Sequence, residues 1–134
     1  MEWAWGVHRW AFRLSGGILG SRAFGIPVLQ LTTTGRVSGR PREVMLHYFQ
    51  ELGNYVVIAS HAGELRNPPW YLNHKANPAA VAQVGPDRIQ VLARDAAGAE
   101  RDRLWAKAVE LDPAYAEYQG RTERQIPVVI LDRI

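Results

Sequence analysis

The densest chemistry in this chain lies between Thr32 and Arg42, in Thr32-Thr33-Thr34-Gly35-Arg36-Val37-Ser38-Gly39-Arg40-Pro41-Arg42. Glycines let backbone amides come close to an anion, and Ser and Thr hydroxyls add donors. Arg36, Arg40 and Arg42 place three planar guanidinium groups within seven residues, each able to grip a phosphate or carboxylate through two parallel bonds. The Gly-Lys-Ser/Thr ending of a nucleotide P-loop is missing. Taken alone, the pattern describes either an anion-holding hairpin or a solvated turn.

Two further constellations follow. Ala59-Ser60-His61-Ala62-Gly63, then Asn67-Pro68-Pro69-Trp70-Tyr71, joins a strand end, a glycine loop and a helix start. Free N–H groups at such a helix start can wall a cofactor. Trp70 could stack on a flat ring or simply pack in the core. Tyr115 and Tyr118 stand three apart on one helical face, with Gln119 beside them. Their hydroxyls could donate into a pocket, or the pair could pack against a sheet. No metal site is expected, because His8, His47, His61 and His74 are scattered and no close ligand pair occurs.

Positioning these residues requires a scaffold, and hydropathy alternation supplies one. Residues 26–33 read as a strand, 34–41 as turn chemistry and 42–49 as a second strand. In that second strand Val44, Leu46 and Tyr48 share one face, and Met45, His47 and Phe49 the other. A third strand spans 54–60. Asn67 is expected to cap a helix beginning at Pro68 and ending before Asn77-Pro78. Residues 80–84 and 88–94 form a hairpin, and 98–111 an amphipathic helix with Leu104, Ala108 and Leu111 on one side. A short helix carries Tyr115 and Tyr118, and 126–131 is a closing strand. Six short strands joined mostly by hairpins close most simply into a small antiparallel barrel; a doubly wound parallel sheet is disfavoured. Residues 3–14 read as a helix with Trp3, Val7, Trp10 and Leu14 on one stripe. That helix could be a lid, a dimer element or an interfacial anchor.

The whole chain, 134 residues and 47% apolar, has the size and composition of one globular domain with its own core. It has no cysteine, which excludes disulfides, thiolate metal sites and cysteine nucleophiles. No apolar run is long enough to span a bilayer, and the N-terminus lacks the uninterrupted core of a signal peptide. The expected location is cytoplasmic, with peripheral membrane contact through residues 3–14 left open. Net charge is +3, and residues 1–50 hold six arginines against Glu2 and Glu43. So small and localised an excess does not point to nucleic acid.

Three segments together, LTTTGRVSGRPR, VVIASHAGELRNPPWYLNHKANP and AYAEYQGRTERQIPVVIL, resemble the deazaflavin (F420)-dependent nitroreductase and quinone reductase family of actinobacterial type. The resemblance runs from about residue 26 to the C-terminus, in order and with natural spacing. It implies an α+β fold: a split antiparallel β-barrel, like that of flavin reductases and pyridoxamine-phosphate oxidases, with flanking helices. One barrel domain would span 1–134, with 1–25 as a helical segment preceding the barrel. The cofactor implied is coenzyme F420, an 8-hydroxy-5-deazaflavin with a phosphate and a polyglutamate tail, and the activity is hydride transfer to a quinone or similar acceptor. Nitroaromatics would be side substrates. The alternatives are an FMN-dependent enzyme of the same barrel and a non-catalytic deazaflavin carrier, as monomer or homodimer.

Carried over by residue, the resemblance puts Arg36, Ser38 and Arg42 on the cofactor phosphate. By charge, Arg40 and Lys75 would meet tail carboxylates. Ala59, Ser60, His61 and Gly63 would line the deazaflavin ring, bordered by Asn67 and Trp70. Ser60, Tyr115 and Tyr118 would face the acceptor. The sequence departs from many relatives in having Val37 for Lys, Arg40 for Gln and His61-Ala62 for Lys-Gly, and from some quinone-reducing members in having Asp112 for Tyr.

Overall fold

Alternation of apolar side chains builds the sheet as the sequence requires. The computed structural model describes residues 25–134, together with the backbone of Arg22–Ala23. The strands are β1 (Arg22–Ala23), β2 (Ile26–Thr34), β3 (Pro41–His47), β4 (Phe49–Glu51), β5 (Asn54–Ile58), β6 (Ala79–Val84), β7 (Asp87–Asp95) and β8 (Val128–Arg133). The helices are α1 (Pro69–Ala76), α2 (Gly98–Leu111) and α3 (Ala114–Gly120), with a 3-10 turn at His61–Gly63.

Every pairing is antiparallel, and the order runs β2-β6-β7-β8-β5-β4, with β3 also on β2. β3 and β4 are consecutive stretches of one bent strand. Because β3 lies on β2 and β4 on β5, the bend at Tyr48 closes the ring, and the Tyr48 amide donates to the Pro27 carbonyl at 3.1 Å. The six strands legible in the sequence are therefore the ring itself. The structure breaks the second of them at Tyr48 and adds the two-residue β1.

Inward-facing residues fill the ring: Leu29 and Leu31 from β2, Tyr55 and Val57 from β5, Ala82, Val91, Val129 and Leu131 from β6 to β8. Val44, Leu46 and Tyr48 join them, as their shared face requires. Trp70 and Tyr71 of α1 enter the same cluster, so this helix plugs the barrel. On the outside, Leu104 and Ala108 of α2 pack with Val56, Ile58, Val128 and Ile130, and Tyr115 and Tyr118 lie against that layer. Each large apolar side chain buried this way contributes about 1.5–3 kcal/mol relative to exposure.

Element ends differ from the alternation pattern for local reasons. β5 stops at Ile58, although the Ala59 amide still reaches the Pro127 carbonyl at 3.0 Å. β8 starts at Val128 because Pro127 has no N–H to donate. Helix α1 begins at Pro69, one residue later than expected, and Asn67 does not cap it: Pro68 holds the cap position and the Asn67 side chain is engaged elsewhere. Leu111, expected on the buried face of α2, is half exposed. Within residues 1–25, Arg22–Ala23 pair with Ile26–Pro27, so the sheet starts inside the segment read as helical. The expected helix over 3–14 lies outside the described residues. No helix among the described residues is long and apolar enough to cross a membrane.

Candidate active site

Strands β2 and β3 project the arginine hairpin beyond the barrel. Its tip is tied by backbone bonds, Gly35 N–H to the Arg40 carbonyl and Gly39 N–H to the Gly35 carbonyl, both 2.8 Å. A Cβ at Gly35 would lie 2.7 Å from the Ser38 hydroxyl and 3.1 Å from the Arg40 carbonyl, so a side chain there would crowd two groups that tie the tip. Ser38 Oγ accepts from the Arg40 amide at 3.1 Å and from the Arg42 guanidinium at 3.3 Å. Arg36, Arg40 and Arg42 are exposed, and no carboxylate among the described residues pairs with them. Three uncompensated guanidinium groups on a rigid turn are what a multiply charged anion requires.

The hairpin is not free-standing. Asn73, 4% exposed on α1, accepts from the Arg36 amide at 3.0 Å and donates to Thr33 Oγ1 at 3.2 Å. One amide side chain therefore latches the hairpin to the plugging helix. The only hint in the sequence was a polar side chain inside a helix, where Asn is intrinsically unfavourable.

The second wall is the loop between β5 and α1. His61, Ala62 and Gly63 have φ of 47°, 52° and 75°, three consecutive left-handed residues of which two carry a Cβ. Each of those two costs roughly 1–2 kcal/mol, so the surroundings must hold the loop. Gly63 is dictated by close approach: a Cβ there would lie 2.5 Å from the Tyr118 carbonyl. His61 Nδ1 bonds the Arg66 carbonyl at 3.0 Å. Arg124, which the sequence did not single out, donates to the carbonyls of Ala59, Ser60 and Glu64 and to Asn67 Oδ1. Ala59 is fully buried at the start of this loop and Ser60 is half-buried.

The contact between Gly63 and Tyr118 brings the loop against α3, so Ser60–Gly63 and the tyrosine pair form one corner. Tyr115 and Tyr118 meet edge to face at 6.3 Å. Tyr115 lines a cleft with Tyr48, Phe49, Val56, Ile58, Leu111 and Asp112. Burial, aided by the Asp112 charge, pushes the Tyr115 hydroxyl up to about 12, so it stays a proton-bearing donor.

Two expected residues already have partners within the protein. Trp70 is 6% exposed and packs edge to face on Tyr71 at 6.2 Å, within the barrel core. Lys75 is 3.5 Å from Asp95, which also accepts from Tyr71 and lies 2.8 Å from His74 Nε2. Burial alone would raise the Asp95 carboxyl, but the Tyr71 and His74 bonds and the Lys75 charge hold it below the usual carboxylate range. A ligand carboxylate would have to share Lys75 with it.

Comparison with known proteins decides the lineage. The sequence profile of the F420H(2)-dependent quinone reductase family matches residues 5–133. The chain belongs to this family. An F420H(2)-dependent quinone reductase of Mycobacterium tuberculosis (strain ATCC 25618 / H37Rv) is 40% identical over 131 residues, covering 95% of this chain and 88% of the relative. The solved F420-H2 dependent reductase FDR-A superposes with a TM-score of 0.73 at 44% identity, over 79% of this chain and 94% of its own. A pyridoxamine 5′-phosphate oxidase-like protein of Listeria innocua shares the barrel alone, with a TM-score of 0.57 at 15% identity over 79% of this chain and 82% of its own. The fold is thus the split barrel that the sequence resemblance implies. For an F420H(2)-dependent quinone reductase the cofactor is coenzyme F420 and the chemistry is oxidoreduction. The residues present fit that group: the hairpin offers uncompensated cations to an anionic tail, and the loop offers a backbone wall beside a cleft with a protonated hydroxyl.

Proposed function

We propose that this chain oxidises reduced F420 with a quinone, and that Arg36, Ser38 and Arg42 hold the cofactor phosphate while Arg40 and Lys75 meet its tail carboxylates. The observation that carries this reading is the corner where the Ser60–Gly63 loop packs on the tyrosine helix. A ring wall and acceptor-facing hydroxyls there share one rigid contact. Ser60 and His61 line the ring with Asn67 at its border, while Ala59, Gly63 and Trp70, all buried, back the wall from behind.

The bound deazaflavin supplies a hydride; the protein supplies orientation and electrostatics. The loop and the cleft would hold the acceptor beside the bound cofactor ring, so that binding supplies the orientation. The hydroxyls of Tyr115, Tyr118 and Ser60 donate to the quinone oxygen as negative charge grows on it. Around Tyr115 the cleft walls are apolar, with Phe49, Val56 and Ile58, which strengthens the bond that its hydroxyl donates. A nitro group presents oxygens to the same donors, which makes activated nitroaromatics the side-substrate class to assay.

The test is anaerobic mixing of the purified protein with reduced F420 and menadione, following return of the oxidised cofactor's absorbance. Enzyme-dependent turnover is expected. Binding without turnover would leave a carrier, and failure to bind F420 with retention of FMN would replace this reading by an FMN enzyme of the same barrel.

A further inference from the structure

Arg124 lies just beyond α3, yet all its side-chain bonds reach back some sixty residues in the chain. Its Nε donates to the Glu64 carbonyl at 2.9 Å, Nη1 to Asn67 Oδ1 at 2.8 Å and to the Ala59 carbonyl at 3.2 Å, and Nη2 to the Ser60 carbonyl at 2.7 Å. Four acceptors spread over the segment 59–67 thus converge on one planar fork. Only arginine presents donors in that geometry. Its own backbone is held in turn: Gln119 donates to the Arg124 carbonyl at 2.7 Å and accepts from the Ile126 amide at 2.9 Å. The helix carrying both tyrosines is therefore wired through Gln119 and Arg124 to the loop whose left-handed residues need outside support.

We propose that Arg124 is a positioning residue for the reaction: it fixes the Ala59–Asn67 loop against α3, so that the cofactor ring and the tyrosine hydroxyls keep one spacing. The proposal rests on the reading of that loop as the ring wall. Arg124 acts through the loop backbone and does not touch the reacting atoms. Inside the loop lie the Gly63 N–H to Ser60 carbonyl and Glu64 N–H to His61 carbonyl bonds and the His61 ring contacts to the Arg66 carbonyl and, at 3.5 Å, the Glu64 carboxylate; from outside, Arg121 adds a single 3.5 Å bond to the Ala62 carbonyl, against the four that Arg124 makes. Removing the fork should loosen the wall while the barrel core, which Arg124 does not enter, stays folded.

The experiment compares full-length Arg124→Ala, Arg124→Lys and Arg101→Ala by F420 titration and by kcat and KM with menadione at saturating reduced cofactor. Arg101 is the control, because it donates to the Ile126 carbonyl at 2.7 Å and stacks on Trp105, with no bond to the loop. Arg124→Ala should weaken F420 binding at least tenfold and lower kcat at least tenfold. Guanidinium ion at tens of millimolar should restore both saturably, and ammonium at equal ionic strength should not. Arg124→Lys keeps the charge but not the fork, so it should share the defect, and it decides the question if the alanine variant fails to fold. Arg101→Ala should stay within twofold of wild type in both readouts. Values for folded Arg124 variants within twofold of wild type would overturn the proposal. So would a loss that guanidinium does not rescue, or one matched by Arg101→Ala. A wild-type protein that does not bind F420 would instead overturn the functional reading beneath it.

Discussion

Tyr115 is the side chain whose surroundings most clearly prepare it for chemistry. Its hydroxyl sits in a largely apolar cleft beside Asp112 and is pushed up to about 12 by burial and that charge. A donor this reluctant to ionise can meet developing negative charge across the neutral range. Tyr115→Phe should therefore lower kcat with menadione tenfold or more while leaving the F420 dissociation constant within about threefold. An effect confined to F420 affinity would place the hydroxyl on the cofactor. The same shift has a stability sign. A hydroxyl with a folded value above the unfolded one, near 10, contributes stability that is present below pH 10 and lost as pH rises toward 12. At this scale the sequence was partly legible. The spacing of Tyr115 and Tyr118 gave a shared face, and the structure keeps it. Trp70, which allowed two readings, lies in the core. Arg124 was one arginine among many, and nothing local distinguishes a guanidinium that will meet four distant carbonyl and amide oxygens. The left-handed His61 and Ala62 were equally hidden, since neither residue type announces that conformation.

Between residues and fold stand the hairpin, the loop and the short helix α1 that joins them. Asn73 ties the hairpin to α1 through two bonds, one to the Arg36 amide and one to Thr33. Asn73→Ala strands a buried hydroxyl and frees the turn, so thermal denaturation should show a loss of about 1–3 kcal/mol. F420 affinity should fall with it, because Arg36 follows its own backbone. A destabilised variant with unchanged affinity would show that the hairpin holds its shape alone. The elements themselves were readable because strands alternate with period two and α2 with the helical period. Their ends were not. Tyr48 interrupts a strand that alternates without a break, because the closing bend depends on where β2 and β5 stand, and Asn67 looks like a helix cap until Arg124 claims its side chain.

At the scale of the whole molecule, the barrel is a ring closed by one bent strand and plugged by α1, and Asp95 locks that plug. It takes bonds from Tyr71 and His74 and the charge of Lys75, joining α1 to the end of β7. Its carboxyl is held below the ordinary 3.8, so the stability it contributes is present above about pH 4 and lost as pH falls through the lower folded value. Asp95→Asn should lower stability at neutral pH by about 1–3 kcal/mol and flatten the acid limb of the melting profile. An unchanged acid limb would assign acid sensitivity to another carboxylate. Ring closure followed from counting strands in a short chain, whereas the lock did not, because Asp95 and its three partners are about twenty residues apart in sequence.

The central claim is that the arginine hairpin grips the anionic tail of the cofactor while the loop reads its ring. It is tested most directly by titrating wild type, Arg36→Ala and Arg42→Ala with intact F420 and with the same deazaflavin chromophore stripped of phosphate and tail. The account predicts that each substitution weakens the intact cofactor about ten- to a hundredfold and leaves the stripped chromophore within twofold of wild type. Equal losses for both ligands, or none for either, would contradict it.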